Sequence, residues 1–242
     1  MELKNYQIQV IRDLERFLEL LIEKQSISSA YSTLWNEKGV NVGIDGMPPY
    51  KTELAGVPQV CFKVPTGGGK TFLAANSIKP IFDSMPHIHP KAVVWLVPSD
   101  AILTQTYRTL TDKNHDYRKK IDVDFGNKVE IYSKQQLLNG QNFNPTSVSD
   151  NLSVFVLSYD SFRTSKKDGR KAYQENGSLL PFVRFKQDSG SLLEDTDETA
   201  LIQVIRKLNP VVIVDESHHA TSKLSKAVSY THLRAHETDQ YL

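Results

Sequence analysis

Residues 59–71 read QVCFKVPTGGGKT: an apolar run, a proline, three consecutive glycines, and a Lys-Thr pair that opens a stretch of helical composition. A short apolar run, a glycine turn and a helix start together describe a strand-to-helix connection in an α/β sheet. Glycine permits positive φ and close backbone approach, so the amide N–H groups of Gly67, Gly68 and Gly69 can converge on one anion. The helix beginning at Lys70 adds the partial positive charge of its N-terminus. Lys70 is then placed to reach terminal phosphates, and the Thr71 hydroxyl to ligate Mg²⁺. The strict GxxxxGK[ST] spacing fails, because Val64 stands at its first position. A glycine turn that merely precedes Lys and Thr is the competing reading.

Runs of the same kind follow at 92–97 (AVVWLV), 152–157 (LSVFVL) and 211–214 (VVIV), with 129–132 as a further candidate. They are short, continuous and rich in β-branched or aromatic residues, as strands covered on both faces are. Helical patterns at 70–83, 100–111 and 199–208 alternate with them. That alternation predicts an α/β fold, a mostly parallel sheet with helices on both faces. Near the N-terminus, residues 6–23 place Ile8, Ile11, Leu14, Phe17, Leu18 and Leu21 at helical spacing, which predicts an amphipathic helix. Residues 26–58 read as a long connection without a strong period. Residues 163–198, with SKKDGRK followed by SGSLLEDTDET, read as a solvated surface excursion.

The formal net charge is +1, so any nucleic-acid contact must come from local grooves rather than overall basicity. Arg118, Lys119, Lys120, Lys166, Lys167, Arg170 and Lys171 could track a phosphate backbone, but they lack interleaved aromatics and read as solvated loop charges. Cys61 is the single cysteine, which excludes an intramolecular disulfide, and the start MELKNYQIQ lacks the apolar region of a signal peptide. No apolar run approaches the roughly 18 residues of a membrane helix. A cytoplasmic protein without a membrane partner is expected.

A second motif closes the last strand: residues 211–219 read VVIVDESHH. Ligands gather at the carboxyl ends of parallel strands, where Asp215 and Glu216 fall. Asp215 suits a hold on Mg²⁺ and Glu216 the orientation and deprotonation of an attacking water. The same carboxylates could instead cap the following helix. His218 and His219, being adjacent, point in different directions, so no zinc site is expected.

PTGGGKT with DESHH resembles motifs I and II of the superfamily 2 DEAD/DEAH-box helicases, most of all the restriction subunit of type III restriction enzymes. The similarity runs over about residues 3–227. It implies a RecA-like P-loop NTPase lobe that uses ATP and Mg²⁺. Thr66, Gly67, Gly68, Gly69, Lys70, Thr71 and Asp215 would hold the nucleotide and metal, with Thr71 and Asp215 on Mg²⁺. Lys70, Asp215, Glu216 and His218 would be catalytic, His218 by coupling the nucleotide site to DNA, although it could instead be a hydrogen-bonded interior histidine. Gln7, beside Tyr6, matches the glutamine that recognises adenine, although it could equally be a polar position on the first helix. Pro98 and Ser99, with Ser158 and Tyr159, match loops that touch a nucleic-acid backbone.

The partners so implied are double-stranded DNA and a DNA methyltransferase (modification) subunit, with a metal-dependent nuclease domain elsewhere in the parent. A superfamily 2 helicase of DNA repair or RNA metabolism would share both motifs. A nucleotide-binding module without turnover is the alternative from another class.

Residues 228–238, VSYTHLRAHET, read as one frame of a tagmentation sequencing adapter, in which GTC TCT TAT ACA CAT CTC CGA GCC CAC GAG encodes 228–237. The expected organisation is therefore an N-terminal helix and connection at 1–58, the ATP-binding lobe at 59–227 with its insertion at 163–198, and a non-native tail at 228–242. The resemblance also implies a second lobe that supplies an arginine finger, so this chain alone is expected to turn over little.

Overall fold

The computed structural model describes residues 2–51, 56–65, 67–165, 167–183 and 199–215. The helices are α1 (Asn5–Lys24), α2 (Ile27–Glu37), α3 (Lys70–Ser84), α4 (Asp100–Thr111), α5 (Asp116–Asp124), α6 (Lys134–Asn139), α7 (Pro145–Asp150), α8 (Lys167–Arg170) and α9 (Leu201–Lys207). The strands are β1 (Ala92–Val97), β2 (Val129–Ser133), β3 (Leu152–Ser158) and β4 (Val211–Val214). They form one sheet in the order β2-β3-β1-β4, and every pairing is parallel. Parallel neighbours require crossovers, which the intervening helices supply.

Strands β1, β3 and β4 are buried on both faces, while the edge strand β2 exposes Glu130, and the two faces feed separate cores. Val93, Trp95, Val154, Val156 and Ile213 pack with α1, α2 and α3 through Phe17, Leu34, Ile78 and Phe82. Val94, Leu96, Phe155, Leu157 and Val212 face the other way, toward Phe143, Leu179, Phe182 and Ile205. This period of two, with no polar face, is what burial between two helical layers demands. Each fully buried large apolar side chain contributes about 1.5–3 kcal/mol of transfer free energy.

Helix α1 buries Leu14, Phe17, Leu18 and Leu20, while Arg16 on its exposed face pairs with Glu19, Glu23 and Glu37. Lys38 pairs with Asp13 at 2.5 Å and ties the end of α2 back to α1.

The structure departs from the sequence pattern at four places. Residues 26–58 contain α2, capped by Ser26 and burying Ala30, Tyr31, Leu34 and Trp35. The run 59–64 has strand composition but forms no named strand among the described residues. It runs between α1 and α3, with Val60 in the main core and Val64 against Ile11 and Leu73. The stretch 163–198 is not wholly a solvated excursion, because Ala172, Leu179 and Phe182 lie within the second core. Its apolar residues are sparse in sequence but converge in space, Phe182 stacking 4.6 Å from Phe143.

Arg118 likewise is no solvated charge. It is 6% exposed and donates to the Asp122 carboxylate and to the carbonyls of Leu110 and Val129, joining α4, α5 and β2. A buried guanidinium is tolerated only with such complete pairing.

Candidate functional site

The glycine loop enters α3 through alternating backbone conformations. Gly67 has φ +75° and Gly69 φ +74°, with Gly68 between them outside the left-handed region. Such alternation is the backbone pattern of an anion-binding concavity, but the Gly68 N–H, expected from the sequence to join those of Gly67 and Gly69, is bonded within the loop instead. Gly69 caps α3 without any side-chain cap bond, and the first-turn N–H groups have no partner further back in the helix. The helix is 15 residues long, so its terminal dipole is fully developed.

Gly68 has no room for a side chain: a Cβ there would stand 2.4 Å from Val64 Cγ1 and 2.8 Å from the Pro65 carbonyl. The Gly68 N–H donates to that same Pro65 carbonyl at 2.8 Å, closing the turn. Val64, the residue that breaks the strict motif, therefore packs against the glycine it precedes.

Helix α1 reaches this loop directly. The Tyr6 hydroxyl donates to the Gly68 carbonyl at 2.6 Å, and Gln7 Nε2 donates to the same oxygen at 2.9 Å. Gln7 is 1% exposed, and its Oε1 accepts from the Lys4 N–H at 2.9 Å, so both ends of its amide are engaged. Nothing in the order of residues brings position 7 to position 68, so this contact has no signature in the sequence. Lys70 and Thr71 open α3 and are half-buried.

Asp215 ends β4. Its N–H donates to the Leu96 carbonyl at 2.9 Å, prolonging the ladder with β1, and its own carbonyl accepts from the Tyr159 hydroxyl at 3.0 Å. Among the described residues no three His, Cys, Asp or Glu side chains cluster for a metal. Mg²⁺ needs no such cluster, because one or two protein oxygens suffice when phosphates and waters complete its shell. Thr66, Glu216 and His218 lie outside the described residues, as does the tail 228–242.

The four strands deliver Pro98, Ser133, Ser158 and Asp215 to the same carboxyl edge of the sheet. Ser99 is exposed and caps α4, accepting from the Ile102 N–H at 3.4 Å. Ser158 and Tyr159 are 4% and 2% exposed, so their side chains face the interior rather than an open surface. Beneath them a cleft of about 1040 Å³ is lined by Asp100, Lys134, Ser158, Lys167, Asp168 and Lys171, among others. Lys134 donates to the Asp168 carbonyl, and burial lowers its ammonium below the ordinary value. No helix of the described residues is long and apolar enough to cross a membrane.

The family described as type III restriction enzyme, res subunit, has a model that matches residues 1–242. No curated protein and no solved structure matches the chain.

Proposed function

Since the chain belongs to the type III restriction enzyme res subunit family, we propose that it is the ATP-binding lobe of a DNA-dependent ATPase or translocase in a restriction-modification system. The observation that supports this reading is the glycine loop at the start of α3, with left-handed Gly67 and Gly69 and a bond from Gln7 to the Gly68 carbonyl, a geometry that would suit an anion cradle. Lys70 would neutralise the terminal phosphates. Gln7 would read the adenine with the amide hydrogen and lone pair that its present bonds leave over. Mg²⁺, held by Thr71 and Asp215, would supply charge neutralisation between the phosphates. Glu216 would orient and deprotonate the water, and His218 would pass the state of this site to the DNA side.

The DNA side would be the carboxyl edge near Pro98, Ser99, Ser158 and Tyr159. The exposed Ser99 hydroxyl and backbone N–H groups there suit a phosphate backbone, which carries position but no sequence information, whereas the buried Ser158 and Tyr159 side chains would shape that edge from within. The partner modification subunit and a nuclease domain in the parent would complete the system, in the cytoplasm.

Turnover would depend on an arginine from a second RecA-like lobe, a group worth orders of magnitude in related NTPases. The test is ATP hydrolysis by residues 1–227 and by a two-lobe parent, each with and without duplex DNA. Stimulation by DNA is expected only with both lobes present, and Glu216→Gln should keep binding while losing at least about a hundredfold in rate. Robust DNA-stimulated turnover by the single lobe would overturn the division of labour, and unchanged hydrolysis by the variant would remove Glu216 from the base role.

A further inference from the structure

Tyr6 stands in the first turn of α1, 41% exposed, so apolar burial alone does not account for its position. Its hydroxyl lies 2.6 Å from the Gly68 carbonyl, and Gln7 Nε2 occupies the same oxygen at 2.9 Å. A carbonyl has two lone pairs, and here both are taken by donors from one helix turn.

The peptide joining Gly68 to Gly69 is planar and trans, so its C=O and N–H point in opposite directions. Drawing the Gly68 carbonyl onto α1 therefore turns the Gly69 N–H away from α1. Both flanking glycines are conformationally loose, and without an anchor this peptide could rotate at little cost. Gln7 is itself fixed, because Oε1 accepts from the Lys4 N–H at 2.9 Å. Tyr6 supplies the second, shorter bond.

We propose that Tyr6 is a positioning residue of the phosphate loop: its phenol, together with the Gln7 amide, locks the Gly68–Gly69 peptide so that the Gly69 N–H is presented to bound phosphate. This rests on the phosphate-binding reading of residues 67–71. It makes α1 part of the anion site and gives Tyr6 a role independent of the base. A side chain that touched adenine would discriminate between nucleotides; one that orients a loop amide affects every ligand with a phosphate tail alike.

The experiment is calorimetric titration of the full chain and its Tyr6→Phe variant with ADP, GDP and inorganic tripolyphosphate. The Gly69 amide resonance is followed by NMR. Losing one hydrogen bond of this kind should weaken all three ligands by the same factor, about three- to tenfold. The shift of the Gly69 resonance on adding tripolyphosphate should shrink in the variant. Unchanged Kd values for all three would overturn the proposal, as would weakening confined to ADP, which would make Tyr6 a contact of the base. Failure of the unaltered chain to bind tripolyphosphate or ADP would instead sink the phosphate-loop reading, and this proposal with it.

Discussion

The phenol of Tyr159 donates a 3.0 Å hydrogen bond to the main-chain carbonyl of Asp215, and so joins the turn after β3 to the end of β4. These two strands flank β1, to which Asp215 is also tied through the Leu96 carbonyl. A carboxylate proposed to hold Mg²⁺ thus has its backbone fixed from two sides, and one of them comes from the turn that carries Ser158.

Tyr159→Phe removes that donor while keeping the ring. It should cost about 0.5–1.5 kcal/mol, a fall of about 2–4 °C in Tm per kcal/mol for a chain of this size. If the turn reports to Asp215, the ratio of ATP turnover with duplex DNA to turnover without it should fall in the two-lobe parent. An unchanged ratio would show that the bond is structural only.

Phe182 tests the corrected reading of the polar stretch. It is 1% exposed and packs on Phe143, so Phe182→Ala should cost about 3–5 kcal/mol in denaturant unfolding. A loss below about 0.5 kcal/mol, as at an ordinary surface position, would restore the solvated excursion.

Arg118→Ala leaves the Asp122 carboxylate and two carbonyls in the interior without their donor. Breaking a buried pair on one side should cost about 3–5 kcal/mol. The same substitution at exposed Lys119 should change stability by no more than about 0.5 kcal/mol. Equal effects at the two positions would mean that Arg118 is solvated after all.

The strands read at 92–97, 152–157 and 211–214 were legible because burial on both faces keeps these runs largely apolar, β3 extending one residue further to Ser158. Helix α4 was legible from the helical pattern of residues 100–111 after β1, and its Ser99 cap became visible only in the fold. Residues 59–64 have the same composition, yet a strand exists only where a neighbouring ladder does, and composition carries no record of neighbours. Helix α2 carried a signal in Ser26 and in Ala30, Tyr31, Leu34 and Trp35, outweighed by the Gly and Pro residues that follow. At the site, Gly67–Thr71 and Asp215 follow from local chemistry. The bonds from Tyr6 and Gln7 to Gly68, and from Tyr159 to Asp215, are long-range and became visible only in the fold.

Alkaline pH should destabilise the fold through three of its phenols. Tyr31, Tyr132 and Tyr173 are each raised above the ordinary value of 10.0, with burial the first cause. The folded chain then holds these protons more tightly than the unfolded one. Their contribution is complete below about pH 10 and is lost as pH rises through the folded values. Lys134, lowered from 10.5 by burial, acts oppositely, adding stability as pH rises from its folded value toward 10.5. With three phenols against one amine, the denaturant midpoint should fall above about pH 10, less steeply in Tyr132→Phe. A midpoint that is flat or rising in that range would contradict the assignment.

Calorimetric titration of Mg·ATP into the chain and its Lys70→Ala variant shows whether Gly67–Lys70 holds the phosphates of ATP. Saturable one-to-one binding by the unaltered chain is predicted, weakened at least about tenfold when the charge on the phosphates is lost. Equal affinity in the two proteins, or no binding by either, would contradict it.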